Sequence, residues 1–251
     1  MKIVVIGGNG LIGKRLVSDL QDRGHEVVAA SRSTGIDVLT GKGLQEAFQG
    51  ADVVVDVTNS PSFAPDDVLK FFEISTGHMM KAAKAVGLPH FVALSIVGCD
   101  AIPDSGYMVA KVAQERLIRA AGVPFTIVRA TQFFEFVEAI AESCRVGDEL
   151  RMPTQLMQPI AADDVALALA DAAVSAPTNG TFDIAGPEAL SMADWGRRRF
   201  HGEPREQAIV DDATARYFGA ALKHGSLVPQ GIARQGAIDF DEWLGRNVAA
   251  H

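Results

Sequence analysis

Short apolar runs alternate along the chain with longer segments of mixed polarity. A near-continuous apolar run rich in β-branched residues, such as Ala51–Val57, is typical of a parallel strand that is buried on both faces. The segments between the runs carry apolar residues at helical spacing, as in Leu11–Leu20 and Asp66–Val86, and predict amphipathic helices. Alternating strands and helices favour an α/β fold with a parallel sheet. The predicted strands of the N-terminal half are Lys2–Ile6, Glu26–Ala30, the very short Ile36–Val38, Ala51–Val57, His90–Ser95 and Val123–Val128.

The first predicted strand leads directly into a glycine-rich loop, Gly7-Gly-Asn-Gly-Leu-Ile-Gly13. Gly7, Gly10 and Gly13 form a G-x-x-G-x-x-G pattern, and Gly8 also allows the G-x-G-x-x-G pattern of dinucleotide-binding proteins. Glycine lets the backbone turn tightly and approach a pyrophosphate, while the helix that follows directs free N–H groups at the anion. We therefore predict a nucleotide-binding loop, whose contacts with the cofactor come from Gly7, Asn9, Gly10, Leu11, Ile12 and Gly13.

The end of the second predicted strand bears on which nicotinamide cofactor fits. An acidic residue at this point binds the ribose 2′-hydroxyl of NAD, whereas an arginine accommodates the 2′-phosphate of NADP. The strand is followed by Ser31-Arg32-Ser33 and has no acid at its tip. We therefore expect Ser31 and Arg32 to favour NADP over NAD. Asn9, where a basic residue would help, counts against this choice, and Arg32 could simply be a solvated loop residue.

Three further residues suggest acid–base chemistry. Ser95 ends a predicted strand, and Tyr107 and Lys111 lie at the start of the next helix. Residues four apart share a helix face, so the phenol and the ammonium are expected to point in the same direction. A nearby cation lowers the pKa of a phenol, which suits a proton donor to a carbonyl that is being reduced. The alternative is that Tyr107 is a packed aromatic and Lys111 a solvated helix charge.

The glycine spacing together with Ser95 and Tyr107-x-x-x-Lys111 resembles the short-chain dehydrogenase/reductase superfamily. The chain is most similar to its atypical branch, the NmrA-like and quinone-reductase-like proteins, through Ile127-Val-Arg129 and Pro159–Val165 over about residues 1 to 190. Two features depart from that branch: many NmrA-like regulators lack the tyrosine, and Ala130 stands where a proline is often found. The resemblance implies that Ser95, Tyr107 and Lys111 are catalytic. It also implies cofactor contacts from Asp37 and Val38 at the adenine, Thr58 in a strand-end loop, Lys111 at the ribose, and Phe133 near the nicotinamide.

Composition narrows the classes of partner. The formal net charge of −8 and the absence of a long basic run argue against nucleic acid. No apolar stretch is long enough for a bilayer, and the chain begins with the first strand, so we expect neither a membrane partner nor a signal peptide and predict a cytoplasmic protein. Cys99 and Cys144 are far apart and lack metal-ligand spacing, so no metal is expected. We expect a small-molecule substrate, and a homodimer stays open.

The C-terminal part shows no linker that would separate it from the rest of the chain. We predict one domain over residues 1–251, a Rossmann-type doubly wound parallel sheet in which about 187–251 form a small substrate cap. Trp195, Phe218 and Trp243 are expected to form a small core of that cap. A set of apolar residues is expected around the substrate mouth and suggests a hydrophobic or planar substrate; it comprises Val97, Cys99, Phe133, Phe134 and Met157.

These features predict NADP(H)-dependent reduction of a carbonyl or quinone. In this hypothesis Tyr107 donates the proton, Lys111 lowers the pKa of Tyr107 and holds the ribose, and Ser95 orients the substrate oxygen. Two alternatives stay open. One is an NmrA-like regulator that senses NADP without turnover, and the other is a sugar-nucleotide epimerase, for which no basic cluster after residue 150 is clearly placed for a diphosphate.

Overall fold

The computed structural model describes Met1–Val248 as an α/β protein. Its strands are β1 Lys2–Ile6, β2 Glu26–Ala30, β3 Val53–Asp56, β4 Phe91–Ile96, β5 Phe125–Ala130, β6 Arg145–Val146, β7 Glu149–Met152, β8 Leu156–Met157, β9 Gly180–Ala185, β10 Leu190–Ser191, β11 Ile209–Asp211 and β12 Ala233–Gln235. Its α-helices are α1 Leu11–Asp22, α2 Leu44–Phe48, α3 Pro65–Val86, α4 Gly106–Ala120, α5 Val137–Glu142, α6 Ala162–Val174, α7 Met192–Arg199 and α8 Phe240–Val248.

The central sheet has seven strands in the order β12-β9-β5-β4-β3-β1-β2. Strand β1 pairs in parallel with β2 on one side and with β3 on the other, so that Ile3 lies beside both Val27 and Val53. The chain therefore reverses its direction of winding between β1 and β3, which is the point where open α/β sheets bind ligands. The predicted doubly wound parallel sheet is confirmed.

The central sheet buries side chains on both of its faces. Val4 and Val54 belong to a core that also contains Phe48 of α2, Met79 of α3 and Ile118 of α4. Because successive strand residues point to opposite faces, their buried neighbours along β1 and β3 project to the other face. Arg23, which follows α1, forms an ion pair with Asp171 of α6 at 2.8 Å.

The chain divides into two compact units. The first contains Met1–Ile96, Gly106–Arg129 and Val165–Phe182, and the second contains Val97–Ser105, Ala130–Asp164 and the described residues from Asp183 onward. Every residue of the predicted catalytic triad and of the glycine loop lies in the first unit. Within Met1–Val248, no helix combines the length and the apolar composition needed to cross a bilayer.

Residues Ile36–Val38 form a turn, so the strand predicted there is wrong. The Asp37 N–H donates to the Lys42 carbonyl, and the Asp37 carboxylate accepts the N–H of Leu39 at 2.8 Å. Gly41 and Gly43 follow with φ of +76° and +75°. An aspartate that bonds to the backbone two residues ahead, followed by glycines in the left-handed region, stabilises a turn in preference to a strand.

The second unit has an aromatic core. Trp195 and Trp243 are buried as predicted, and both contact Phe134 and Phe240 at centroid distances of 5.2 to 6.0 Å. The indole N–H of Trp195 donates to the Met157 carbonyl at 2.8 Å. The prediction that Phe218 joins this core is wrong: Phe218 is 57% exposed and has a φ of +45°.

Candidate functional site

The loop between β1 and α1 folds so tightly that only glycine fits at its key positions. Gly7 has a φ of +84°, and its carbonyl accepts the Gly10 N–H at 2.9 Å. A Cβ on Gly13 would lie 2.2 Å from the Gly7 oxygen and 2.7 Å from the Gly8 Cα. The first turn of α1 therefore packs directly onto the loop, which requires glycine at position 13.

The N-terminus of α1 is open to an anion. Gly10 is its N-cap, and among the described residues no side chain caps the helix and no acid lies in its first turn. The helix dipole and the first N–H groups, which have no partner within a helix, thus favour a negative group at this end. The side chain of Leu11 is partly exposed beside the loop, whereas Ile12 is buried in the core, so Ile12 offers a ligand only its backbone.

The end of β2 carries a cluster of small polar side chains. Asn9 donates to the Ser31 hydroxyl at 3.0 Å, and the hydroxyls of Ser31 and Ser33 lie 2.7 Å apart. A short 3₁₀ helix, Arg32–Thr34, fixes this end through the Ser31 N–H, which donates to the Thr34 hydroxyl. The Arg32 side chain is exposed. The structure thus brings Asn9, Ser31 and Arg32 to the same edge of the glycine loop.

Asp37 and Val38 lie in the turn that follows. The Asp37 carboxylate is used to hold this turn, and Val38 packs on the core beneath it. A ring nitrogen of His78 lies 3.0 Å from the Val38 carbonyl oxygen. Both predicted adenine contacts are thereby fixed in position by neighbouring residues.

A buried carboxylate lies at the end of β3. The N–H and the hydroxyl of Thr58 donate to Asp56 Oδ1 at 3.0 and 2.7 Å, and Gln114 of α4 donates to Oδ2 at 2.8 Å. Burial raises the pKa of Asp56 above its ordinary value, although Thr58, the charge of Lys111 and Gln114 each act to lower it. Asp56 therefore fixes the predicted cofactor contact Thr58.

Lys111 is buried, with 3% of its surface exposed. Its ammonium donates to the Leu94 carbonyl at 2.8 Å and to the Gln114 side-chain oxygen. It also lies over the Phe72 ring, 4.4 Å from the centroid. The ammonium is thus linked through Gln114 to the carboxyl group of Asp56.

Ser95 belongs to a second buried network. Its hydroxyl donates to Glu115 at 2.7 Å, and Glu115 also accepts two hydrogen bonds of 2.8 Å from Arg129 at the end of β5. Burial acts to raise the pKa of Glu115, but the hydrogen bonds of Arg129 and Ser95 and the charge of Arg129 lower it below its ordinary value. The structure thus ties two of the three predicted catalytic side chains into networks on one face of α4.

Sequence reasoning missed Asp56, Gln114 and Glu115. A signal was present for two of them, because Gln114 and Glu115 follow Lys111 by three and four residues and therefore share its helix face. Asp56 offered a weaker signal, a carboxylate within an apolar run.

Tyr107 lies at the start of α4 and is partly buried. Its ring packs against Phe63 and Phe72, with centroids 5.8 and 6.2 Å away. Burial raises the pKa of Tyr107 to about 12, which is opposite to the predicted lowering by Lys111. The reason is that Lys111 is directed at Leu94 and Gln114, while the phenol lies among aromatic rings. At neutral pH the hydroxyl therefore keeps its proton.

Most of the apolar residues predicted around a substrate mouth are core residues of the second unit. Val97, Cys99, Phe134 and Met157 are each 2% exposed or less. Phe133 is partly buried and stacks on Phe136 at 5.7 Å, with 23° between the rings. The prediction of an apolar lining is therefore wrong for the four buried residues, because they fill the interior of their own unit.

The first unit fits a bound dinucleotide. A side chain on Gly13 would fill the space that the loop needs, the α1 N-terminus is uncapped, and hydroxyls with an exposed arginine lie at the end of β2. In dinucleotide-binding folds, the glycines let the backbone pack closely, the helix N-terminus binds the pyrophosphate, and the end of the second strand contacts the ribose substituent. A family described as NAD(P)H-binding matches residues 7–176.

The chain belongs to this NAD(P)H-binding family. It is 26% identical to a photosystem II assembly factor Ycf39 of Cyanophora paradoxa over 149 residues, which cover 54% of this chain and 46% of the relative. It is also 26% identical to a chloroplastic divinyl chlorophyllide a 8-vinyl-reductase of Oryza sativa subsp. indica over 244 residues, covering 83% and 60%. The chain spans about half the length of the relatives it matches. The predicted membership in the atypical dehydrogenase/reductase group is confirmed.

Solved structures share the fold at low sequence identity. A dTDP-4-dehydrorhamnose reductase of Clostridium acetobutylicum superposes with a TM-score of 0.71 at 19% identity, covering 100% of both chains. A UDP-glucuronic acid 4-epimerase of Bacillus cereus, in complex with NAD, superposes with a TM-score of 0.66 at 19% identity, covering 84% of this chain and 87% of that one. Reductases and sugar-nucleotide enzymes are thus both represented among proteins of this fold.

Proposed function

We propose that this protein is an NADP(H)-dependent oxidoreductase that reduces a carbonyl or quinone of a small substrate. The observation that carries the proposal is the β1–α1 loop, in which close packing at Gly13 accompanies an open helix N-terminus. Together with membership in an NAD(P)H-binding family, this loop supports a dinucleotide cofactor. The bound nicotinamide supplies hydride chemistry, which no protein side chain provides.

Residues of the first unit would hold the cofactor. The backbone from Gly7 to Gly13 and the N-terminus of α1 would bind the pyrophosphate, the turn at Asp37 and Val38 would support the adenine, and Thr58 would border the site at the end of β3. Lys111 stays a proposed ribose contact, and reaching a ribose would require its ammonium to leave Leu94 or Gln114.

The preference for NADP rests on the end of β2. A 2′-phosphate needs donors and positive charge, and this end offers the Ser31 and Ser33 hydroxyls, the Asn9 amide and the exposed Arg32. An acid that would repel the phosphate is missing from Ser31-Arg32-Ser33. Guanidinium groups bind phosphate strongly because their planar donors match its oxygens.

Tyr107 is the proposed proton donor to the substrate oxygen. Because burial raises its pKa to about 12, the phenol is protonated at neutral pH and can give a proton to the oxygen of a carbonyl as it is reduced. Ser95 keeps an oxygen that can accept a hydrogen bond, since its proton is donated to Glu115.

A specific observation favours a second candidate, a regulator that binds NADP without turnover. Ser95 and Lys111 are already bonded to Glu115, Gln114 and Leu94, so their polar groups are engaged without a substrate. The epimerase alternative gains less support. The arginines of α7, Arg197–Arg199, each pair with carboxylates, and their charge is therefore balanced within the protein.

The experiment that tests the function is NADPH oxidation with a panel of carbonyl and quinone substrates. Wild type, Tyr107→Phe and the control Tyr217→Phe are compared, because these are the two tyrosines of the chain. We expect turnover by wild type, a loss of about 10²-fold or more in kcat for Tyr107→Phe, and little change for the control. NADPH binding without turnover of any substrate would favour the regulator.

A further inference from the structure

Phe63, in the loop between β3 and α3, exposes a large apolar side chain to solvent. It is 65% exposed, whereas Phe72 of the following helix is fully buried. Single exposed apolar residues are common on protein surfaces, so the surroundings of the ring decide what its exposure indicates. The Phe63 ring lies beside Tyr107, the proposed proton donor, and the ring centroids are 5.8 Å apart. The exposed ring therefore borders the proposed reaction.

The loop that carries Phe63 is ordered by its own polar groups. The Ser62 hydroxyl donates to the Asp67 carboxylate at 2.9 Å and accepts the Ala64 N–H at 3.3 Å. The hydroxyl of the buried Ser60 accepts the Ser62 N–H at 3.3 Å. These hydrogen bonds fix the backbone on both sides of Phe63, so the ring is held in place without a ligand.

The same loop packs directly against the start of α4. A Cβ on Gly106, the first residue of α4, would lie 2.7 Å from the Pro65 Cβ and 2.8 Å from the Pro65 Cα. Glycine at position 106 thus allows the first residues of α3 and α4 to touch. Phe63 precedes this contact by two residues, and Tyr107 follows it by one. All four residues belong to the first unit, and their close packing holds the two rings together.

Together, Phe63 and Tyr107 offer a ligand an apolar face beside a hydrogen-bond donor. The planes of their rings are tilted by 44°. A ligand oxygen that accepts a hydrogen bond from the phenol lies about 2.7 Å from it, so a ring attached to the carbon that bears this oxygen is close enough to contact Phe63. Covering the exposed part of Phe63 removes apolar surface from water and stabilises the complex.

We propose that Phe63 is a specificity-determining residue whose exposed ring packs against a planar aromatic group of the substrate. This inference rests on the proposed function and names the substrate class, a ketone or quinone that is conjugated to an aromatic ring. Tilted and offset contacts between aromatic rings stabilise a complex beyond the area they bury. A saturated ring of the same size packs less closely, because its hydrogen atoms project from both faces.

The contact with Phe63 is a binding step in which no bond forms or breaks. It is made equally in the bound substrate and in the transition state, and uniform binding of this kind lowers KM without changing kcat. Loss of the ring is therefore expected to raise KM for an aromatic substrate and to leave kcat nearly unchanged. A loss of kcat alone is the effect expected for Tyr107.

The first arm of the test measures binding without turnover. The ligands are 1-naphthol and its saturated counterpart decahydro-1-naphthol, titrated by calorimetry into the full-length protein saturated with NADP⁺. We expect wild type to bind 1-naphthol more tightly, and Phe63→Ala to weaken 1-naphthol about tenfold and decahydro-1-naphthol less than about twofold. Equal weakening of the two ligands, or a wild type without preference for 1-naphthol, would overturn the proposal.

Three further variants separate ring planarity from bulk. Phe63→Tyr keeps a planar ring and is expected to bind 1-naphthol like wild type, whereas Phe63→Leu keeps apolar bulk and is expected to behave like Phe63→Ala. Phe218→Ala is the matched control, because Phe218 is also exposed and packs against the other tyrosine, Tyr217, at 4.9 Å. Equal losses in Phe218→Ala and Phe63→Ala would overturn the assignment to Phe63.

The second arm measures NADPH oxidation with 1-tetralone, an aromatic ketone, and 1-decalone, the saturated ketone of the same skeleton. We expect Phe63→Ala to raise KM for 1-tetralone about tenfold while kcat and both constants for 1-decalone change less than about twofold. Equal changes in KM for the two ketones would overturn the proposal.

Failure of this inference and failure of the proposed function are distinguishable. Turnover of carbonyl substrates by a wild type that does not prefer 1-naphthol would overturn only the role of Phe63. Binding of 1-naphthol that depends on Phe63, with no turnover of any carbonyl or quinone, would overturn the proposed reduction and support the aromatic contact. A wild type that binds no NADPH would overturn both.

Discussion

Gly13 is the residue at which the nucleotide loop is most sensitive to a single methyl group. A Cβ there would lie 2.2 Å from the Gly7 oxygen, and backbone atoms cannot move aside as a flexible side chain can. We expect Gly13→Ala to lower the free energy of unfolding by about 2 kcal/mol, as overpacking does, and to weaken NADPH binding. Urea unfolding and cofactor titration measure both.

Gly77 provides the matched control. It lies on the exposed side of α3, where a Cβ would meet nothing within 4 Å. Because alanine has the higher helix propensity, we expect Gly77→Ala to raise the free energy of unfolding by about 0.5–1 kcal/mol. Equal effects of the two substitutions would contradict the close approach at Gly13.

The raised pKa of Tyr107 determines the pH range in which this residue contributes to the stability of the protein. Because its pKa in the folded protein is about 12 and thus above the ordinary value near 10, its contribution to stability is complete below pH 10. That contribution is lost as the pH rises through 12. We expect wild type and Tyr107→Phe to show the same phenolate absorbance change near 295 nm between pH 8 and 10.5. A wild type that gains extra phenolate absorbance below pH 10 would indicate that Lys111 lowers the pKa after all.

At the scale of elements, α4 connects the ends of three strands. Its residues Gln114 and Glu115 bond to Asp56 in β3, Ser95 in β4 and Arg129 in β5. Removing one member of a buried ion pair leaves the other without compensation. The position of this helix therefore depends on polar groups as well as on its apolar face.

Glu115→Gln tests this role of α4. The neutral side chain keeps its shape but no longer compensates the charge of Arg129, so we expect the free energy of unfolding at pH 7 to fall by about 2 kcal/mol or more. Because the folded-state pKa of Glu115 is lowered, its stabilisation is present above the ordinary pKa of a glutamate and is lost as the pH falls through the lowered value.

Urea midpoints between pH 3 and 7 measure that loss. Wild type is expected to lose more stability on acidification than Glu115→Gln, and the exposed control Glu73→Gln is expected to follow wild type. Parallel pH profiles for wild type and Glu115→Gln would contradict the ion pair.

Helix α7 is anchored in the second unit by Trp195. The indole is fully buried among Phe134 and Phe240 and donates to the Met157 carbonyl. We expect Trp195→Ala to lower the free energy of unfolding by about 3–5 kcal/mol, measured by urea unfolding followed by far-UV circular dichroism. Phe218→Ala, at an exposed position, should change it by less than about 0.5 kcal/mol. Comparable losses in both variants would contradict the role of the aromatic core.

For the whole molecule, the sequence predicted what depends on local pattern. The alternation of short apolar runs with segments of helical periodicity predicted the parallel sheet. Sequence patterns did not predict contacts between side chains and residues that are distant along the chain. The bond of the Lys111 ammonium to the Leu94 carbonyl depends on how elements pack, which spacing along one chain does not determine.

NADP(H) binding is tested most directly by titrating the purified protein with NADPH and NADH while following the nicotinamide fluorescence. Wild type is compared with Arg32→Ala and with Arg116→Ala, a control at an exposed arginine of α4. We expect wild type and the control to bind NADPH about tenfold or more tightly than NADH, and Arg32→Ala to lose this preference while keeping its affinity for NADH. If wild type binds neither cofactor, the assignment of this protein as an NADP(H)-dependent oxidoreductase is contradicted.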